Sequence, residues 1–206
     1  MKNSRLALVL LTFGFSLAAA AYGQTASPSA IKSIDAYCKT VDGIQKRRKL
    51  PDLVFADTSD GYEKSSKPAW KKFASVKALD KFRDKSETYT VAYNWLDRGK
   101  IVASNFTFSS PSGDWAEYIY SYYRLDGTLA KAKIDYRTFM GDIMVLQDMY
   151  FDRSGKVIKK TVKYEDLTTH KPKKVKKDSF DSSMLNEVDY YTTTGKLPFA
   201  GLVNKK

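Results

Sequence analysis

From residue 87 onward, hydrophobic and polar residues alternate with a period of two, which is typical of β-strands whose side chains point to opposite faces of a sheet. The first run has Tyr89, Val91, Tyr93 and Trp95 on its apolar side. Similar runs follow over 101–108, 115–123, 129–139, 143–151, 157–164, 188–191 and 196–202. These runs predict about eight strands. Because sequential strands usually pair with their neighbours, we expect an antiparallel up-and-down meander, either a curved open sheet or a barrel.

One short signature recurs four times in this region. Each copy has a glycine, an aromatic residue four positions before it and an aliphatic residue two positions after it. The copies are Trp95, Gly99 and Ile101; Tyr123, Gly127 and Leu129; Phe151, Gly155 and Val157; and Tyr191, Gly195 and Leu197. The first three glycines are 28 residues apart, and the fourth follows after 40. Because glycine adopts a positive φ without steric cost, each copy predicts a hairpin turn with a glycine bulge, across which the aromatic and aliphatic residues face each other.

This signature resembles the short tyrosine-and-glycine hairpin repeats of the membrane-occupation-and-recognition type. The resemblance covers the four short patches around Gly99, Gly127, Gly155 and Gly195. It implies a similar local hairpin structure and no particular activity.

The first residues predict an export signal. Lys2 and Arg5 precede an apolar run over 6–21, and Ala21-Tyr22-Gly23 provides a small-residue cleavage site. A membrane anchor is the alternative, but the alanine-rich end and the cleavage site favour removal. Residues 1–23 are therefore predicted to be a signal peptide, and the mature protein to be exported, periplasmic or secreted.

The next segment, residues 24–85, predicts an N-terminal helix and an irregular basic stretch that form one domain with the meander of residues 86–206. Ser27 and Pro28 suit a helix start. Ile31, Ile34, Cys38 and Val41 then recur at helical spacing, which places the sole cysteine on an apolar stripe and favours a buried, unreactive thiol. Residues 46–72 read as irregular, and Trp70, Phe73, Val76 and Leu79 suggest a short second helix.

The chain is strongly basic. Its formal net charge is +12, and removing the signal peptide takes away Lys2 and Arg5 and lowers it to +10. In an exported protein this charge favours anionic envelope surfaces over nucleic acid as partners. The densest basic run is a candidate anionic-surface patch: Lys171, Lys173, Lys174, Lys176 and Lys177. A solvated, extended loop is the alternative interpretation.

Few residues offer catalytic or metal chemistry. The single histidine, His170, lies among lysines and is interpreted as a surface-loop residue. With one histidine and one cysteine, the usual zinc clusters are excluded, and neither a metal nor another cofactor is predicted. Asp114 and Glu117 flank Trp115 and form a candidate carboxylate pair. The favoured interpretation of this pair is a turn aspartate and an outward strand glutamate.

These observations predict an exported, non-enzymatic envelope binding protein, not membrane-spanning once processed, whose curved, tyrosine-rich sheet holds an apolar or sugar ligand or a partner protein. One alternative is a structural or protein-interaction module that pairs through a sheet edge. A second alternative is a hydrolase that uses carboxylates.

Overall fold

The computed structural model describes residues 27–59, 67–175 and 190–204. The strands are β1 (Leu53–Asp57), β2 (Trp70–Phe73), β3 (Thr90–Asp97), β4 (Lys100–Ser109), β5 (Trp115–Tyr123), β6 (Leu129–Thr138), β7 (Ile143–Phe151) and β8 (Val157–Asp166). The helices are α1 (Pro28–Arg48) and α2 (Val76–Arg83). The strands form one antiparallel sheet in the order β2-β1-β3-β4-β5-β6-β7-β8. This confirms the predicted N-terminal helix and eight-stranded meander, and the sheet is open, with β2 and β8 at its edges.

One of the eight predicted strands, 196–202, is wrong, and another, 188–191, lies partly outside the described residues; β1 and β2 complete the sheet instead. β1 lies in the stretch predicted to be irregular, and its central residues 54–56 are all buried. A strand that is buried on both faces shows no alternation, so the period-two criterion missed it. Trp70 and Phe73 belong to β2 rather than to the second helix. Residues 196–202, predicted as the last strand, instead contain single 3-10 turns at Thr194–Lys196 and Ala200–Leu202.

Helix α1 begins and packs as its sequence predicts. The Ser27 hydroxyl accepts a hydrogen bond from the Ala30 amide at 3.3 Å, and Pro28 occupies the first turn. The helix ends at Lys49, whose φ is 62° and whose amide donates to the Gln45 carbonyl at 2.9 Å. Its buried stripe consists of Ile34, Cys38, Val41 and Ile44. These residues pack on one side of the sheet, which we call the helix face.

A repeated bulge explains how the sheet meets α1. The register shifts once in each of the three hairpins that turn at Gly99, Gly127 and Gly155, so that Val102, Ala130 and Ile158 have no partner in the ladder. Each of the three residues lies three positions after a signature glycine, and all three pack with the α1 stripe. A bulge turns two consecutive side chains toward the same side. The 28-residue period therefore gives each hairpin an additional apolar contact with the helix.

The predicted hairpin geometry is confirmed for two copies of the signature. Tyr123 lies opposite Leu129, and Phe151 lies opposite Val157. In both turns the glycine amide donates to the carbonyl three residues back, at 2.8 Å for Gly127 and 3.3 Å for Gly155. These bonds close the turns as expected for a type I turn that ends in a glycine bulge.

The other two copies differ from the prediction. The first turn contains only Arg98 and Gly99, with φ of 48° and 73°, so it is a two-residue turn of the primed type. Because this turn is shorter, Ile101 lies opposite Leu96, and Trp95 lies opposite Ala103 on the other face. The fourth copy forms no hairpin. Gly195 lies in a 3-10 turn, so the predicted Tyr191–Leu197 pairing across it is wrong.

Residues 190–204 cover the opposite side of the sheet, which we call the C-terminal face. Leu197 and Phe199 are fully buried there. The Phe199 ring stacks on Phe55 with centroids 4.2 Å apart. This C-terminal segment also contacts the hairpin turn at Gly127, because the Thr194 amide donates to the Gly127 carbonyl at 2.9 Å. Among the described residues, no helix is both long enough and apolar enough to cross a membrane.

Candidate functional site

The helix face carries an open cleft because α1 covers only the half of the sheet nearest the signature turns. The uncovered half forms a cleft of about 670 Å³. One wall is the second half of α1, with Asp42 and Gln45, and the floor is formed by β4 to β8. The floor residues are Asn105, Tyr118, Tyr120, Tyr122, Lys133, Ile134, Asp135, Leu146, Gln147, Asp148, Thr161 and Lys163.

Three tyrosines at alternate positions of β5 form the aromatic part of this floor. The Tyr122 hydroxyl donates to a carboxylate oxygen of Asp42 at 2.9 Å, which ties the floor to α1. The Tyr120 and Tyr122 rings meet edge to face with centroids 4.7 Å apart. Burial raises the pKa of both phenols above the ordinary value, so they remain protonated at neutral pH. Tyr118 is half-buried and has the Arg137 guanidinium over its ring, 5.2 Å from the centroid.

Charged side chains of both signs line the cleft, and only some of them form ion pairs with described residues. Asp135 accepts two hydrogen bonds from Arg137, at 2.9 and 2.6 Å. Asp148 lies 2.9 Å from the Lys131 ammonium. In contrast, neither Lys133 nor Lys163 forms an ion pair with any residue that the structure describes. The two lysines therefore offer ammonium donors to the cleft, while two of its carboxylates are already neutralised.

A buried lysine fixes the boundary between the cleft and α1. The Lys131 side chain is only 10% exposed, and its ammonium lies 2.7 Å from the Tyr150 hydroxyl and 3.5 Å from Asp35 of α1. The Tyr150 hydroxyl in turn donates to Asp35 at 3.0 Å. Burial alone lowers the pKa of Lys131, but the hydrogen bonds with Tyr150 and Asp148 outweigh it and hold the pKa above its ordinary value. The network keeps Asp148 oriented toward Lys131.

A second cleft, of about 590 Å³, lies between the first half of α1 and the turns at Gly127 and Gly155. Its principal cation, Arg124, donates to the carbonyls of Leu129 and Phe151, both at 2.7 Å. Burial lowers the pKa of this guanidinium, which nevertheless stays protonated near neutral pH. Because these bonds tie adjacent hairpins together, Arg124 has a structural role.

The predicted basic patch is only partly described. Lys171 and Lys174 are exposed, whereas Lys176 and Lys177 lie outside the described residues. The Lys173 ammonium is engaged, because it donates to the carbonyls of Gly141 and Asp142 at 2.6 and 2.8 Å. Lys173 thus holds its own segment against the β6–β7 turn.

The candidate carboxylates and His170 show no shared site. Asp114 lies in an exposed turn and accepts a hydrogen bond from the Ser112 hydroxyl. Glu117 lies in β5 opposite Phe108 and Tyr136, and neither carboxylate lines the two clefts described above. His170 is exposed, and its amide closes a turn on the Asp166 carbonyl at 2.9 Å.

Cys38 is 6% exposed, and burial raises the pKa of its thiol to about 12, which confirms the predicted buried position. Among the residues that the structure describes, no group of three potential metal ligands comes together.

None of the residues that line the first cleft was predicted from the sequence as a site residue. The face of β5 predicted to be apolar carries Ile119 and Tyr123, and the cleft lies on the other face. The available signal was the alternate set Tyr118, Tyr120 and Tyr122, which shares that face with Lys133 and Asp148 of the next two strands.

Comparisons with protein-family models, with curated proteins and with solved structures found no match for this chain.

Proposed function

We propose that this chain is an exported, non-enzymatic binding protein whose helix-face cleft holds a saccharide that carries carboxylate groups, while its basic loops face an anionic envelope surface. The proposal depends on one observation. The three tyrosines of the cleft floor lie beside Lys133 and Lys163, which form no ion pair within the described part of the chain.

The tyrosines support a saccharide because a sugar ring presents apolar C–H groups to an aromatic face and hydroxyls to its rim. Phenolic hydroxyls, the Gln45 amide and the Thr161 hydroxyl supply neutral hydrogen-bonding groups around the floor. Asn105 adds an amide oxygen that is buried and has no hydrogen-bond partner among the described residues. A small number of such polar groups around an aromatic surface is typical of a ligand site.

The charges support an acidic ligand over a neutral one. Lys133 lies between Tyr120 and Asp148 in the register of the sheet, and Asp148 is already paired with Lys131. A carboxylate placed over Lys133 would therefore gain a cation without competing for one that the fold already uses. Charge-assisted hydrogen bonds of this kind are stronger than those between neutral groups.

The sheet-edge alternative is less well supported. The edge strand β8 carries Lys159, Lys160 and Lys163, and charged side chains on an edge oppose pairing with another chain. The other edge, β2, has only four residues. Each edge thus carries a feature that limits strand addition.

Binding assays test the proposal with three probes: an oligosaccharide of uronic acids, its neutral counterpart and a long-chain fatty acid. We expect the acidic saccharide to bind to the wild type. The Lys133→Gln variant should raise the Kd of this saccharide by about tenfold, the usual effect of losing a charge-assisted hydrogen bond. The matched control is Lys160→Gln, which removes an exposed lysine on the opposite face of β8 and should leave the Kd unchanged.

Tighter binding of the neutral saccharide or the fatty acid would contradict the proposed ligand class, as would equal losses in both lysine variants. Hydrolysis of the bound saccharide that Asp114→Asn abolishes would contradict the non-enzymatic part and favour the carboxylate hydrolase.

A further inference from the structure

The turn between β6 and β7 exposes two adjacent large apolar side chains. Phe139 is 72% exposed and Met140 is 53% exposed. Single exposed apolar residues are common on protein surfaces, whereas two consecutive ones at one turn form a small contiguous apolar surface. We propose that this turn, residues 139–142 and here called the apolar tip, inserts into the surface of a bilayer that contains anionic lipids.

The apolar tip is held in place by hydrogen bonds. The Asp142 amide donates to the Phe139 carbonyl at 3.1 Å, and the Met140 amide donates to the Thr138 hydroxyl at 3.1 Å. Lys173 closes the other side through its bond to the Gly141 carbonyl at 2.6 Å. The two apolar side chains are therefore presented without a further loss of backbone freedom, which favours insertion.

The neighbouring residues suit the boundary between lipid and water. Trp115 lies opposite Thr138 at this end of the sheet, and it is half-buried with its ring 6.1 Å from that of Tyr136. Aromatic residues with a polar edge are enriched at membrane interfaces. Lys171 and Lys174 are exposed on either side of Lys173, where their ammonium groups can meet lipid phosphates.

Carboxylates also lie near the apolar tip, and their charges offset those of the nearby lysines. Asp114 and Asp142 are exposed, Glu165 is half-buried, and Asp166 lies 3.6 Å from Lys173. The local charges nearly cancel, so attraction to anionic lipid comes mainly from the net charge of the whole protein, which is +10 without the predicted signal peptide. Insertion of Phe139 and Met140 then supplies the site specificity.

A bilayer fits the apolar tip better than a protein partner does. A stable protein interface buries roughly 1,000 Å² or more with complementary shape. Two side chains on a convex turn provide far less area, whereas lipid accepts a small apolar wedge of any shape. The inference rests on the proposed anionic envelope surface, and it does not depend on the saccharide in the cleft.

Vesicle sedimentation tests the inference with phosphatidylcholine vesicles that contain or lack phosphatidylglycerol. We expect binding to the anionic vesicles only, and a loss of about tenfold in the variant with both Phe139→Ser and Met140→Ser. The matched control is Leu50→Ser, at a side chain that is 66% exposed just after α1. All variants are prepared in the same way, and mass spectrometry verifies that they have the same N-terminus. Differences in vesicle binding among them then come from the substituted residues.

A fluorescent label gives a second readout that keeps Phe139 intact. Because Cys38 is buried, Met140→Cys can be labelled selectively with an environment-sensitive dye. We expect the emission to shift to the blue on adding anionic vesicles, with no shift for a label at Leu50→Cys. Three results would overturn the inference. The protein could fail to bind anionic vesicles, or the tip and control variants could lose vesicle binding equally. The third is a blue shift that self-association causes without lipid. Saccharide binding measured on the same variants shows separately whether the cleft proposal stands.

Discussion

Replacing Gly127 by alanine should destabilise the protein far more than the same change at Gly99. Both glycines have positive φ, +84° and +73°, so alanine pays the left-handed backbone penalty of about 1–2 kcal/mol at either position. At Gly99 a new Cβ would meet nothing within 4 Å. At Gly127 it would lie 2.8 Å from the Thr194 hydroxyl oxygen, on the segment that covers the C-terminal face.

The additional cost follows from that contact. Overpacking a well-packed site typically costs about 1–3 kcal/mol, so we expect Gly127→Ala to lower the free energy of unfolding by about 3 kcal/mol and Gly99→Ala by about 1 kcal/mol. Urea denaturation of both variants measures the difference. Hydrogen exchange should show that Gly127→Ala also loosens residues 190–204, because the Thr194 amide bonds to the Gly127 carbonyl.

A double-mutant cycle isolates the steric contribution. In a Thr194→Ala background the clashing hydroxyl is absent, so Gly127→Ala should cost about the same as Gly99→Ala does in the wild type. Equal costs for the two glycines in the wild type, or an unchanged cost in the Thr194→Ala background, would refute the reasoning.

Three further predictions concern the core, the buried lysine and the thiol. Phe199→Ala should lower the free energy of unfolding by about 3–5 kcal/mol in urea denaturation, whereas Phe139→Ala, at an exposed position, should change it by less than about 0.5 kcal/mol. Lys131→Met should cost about 2 kcal/mol at neutral pH. Folding raises the pKa of Lys131, so the stabilisation that its charge provides is fully present below the unfolded pKa of about 10.4. This stabilisation is lost as the pH rises through the higher pKa of the folded state. The free energies of unfolding of the wild type and of Lys131→Met should therefore converge as the pH is raised. The Cys38 thiol should stay unreactive toward a disulfide reagent at pH 8 and react after denaturation; rapid reaction of the native protein would contradict its burial.

The sequence predicted the sheet well where one face of each strand is partly exposed. From β3 to β8 the period-two alternation and the glycine spacing identified every strand. The prediction was wrong at β1, where Val54, Phe55 and Ala56 are all buried and no alternation exists. It also failed at Gly195, where the signature fits by coincidence and the segment is held by Leu197 and Phe199 packing on the sheet.

The cleft could not be predicted from local patterns, because α1 and five strands contribute to it. Asp42 and Tyr122 are 80 residues apart in sequence and meet only because α1 packs across the sheet. A second local signal concerns the packing of α1 on the sheet. In the three signatures that form hairpins, the aliphatic residue is followed by another apolar or small residue, as in Ile101-Val102, Leu129-Ala130 and Val157-Ile158, which breaks the alternation and indicates a bulge.

The length of helix α1 also limits the width of the sheet that it can cover. Its 21 residues extend roughly 30 Å at the usual helical rise. Six strands from β3 to β8 span roughly 24 Å at the usual strand spacing. A longer chain with one more 28-residue unit would place its outermost hairpin beyond the end of the helix, where the extra bulge would face water instead of an apolar stripe. The length of one helix thus limits how many hairpins can share a common cover.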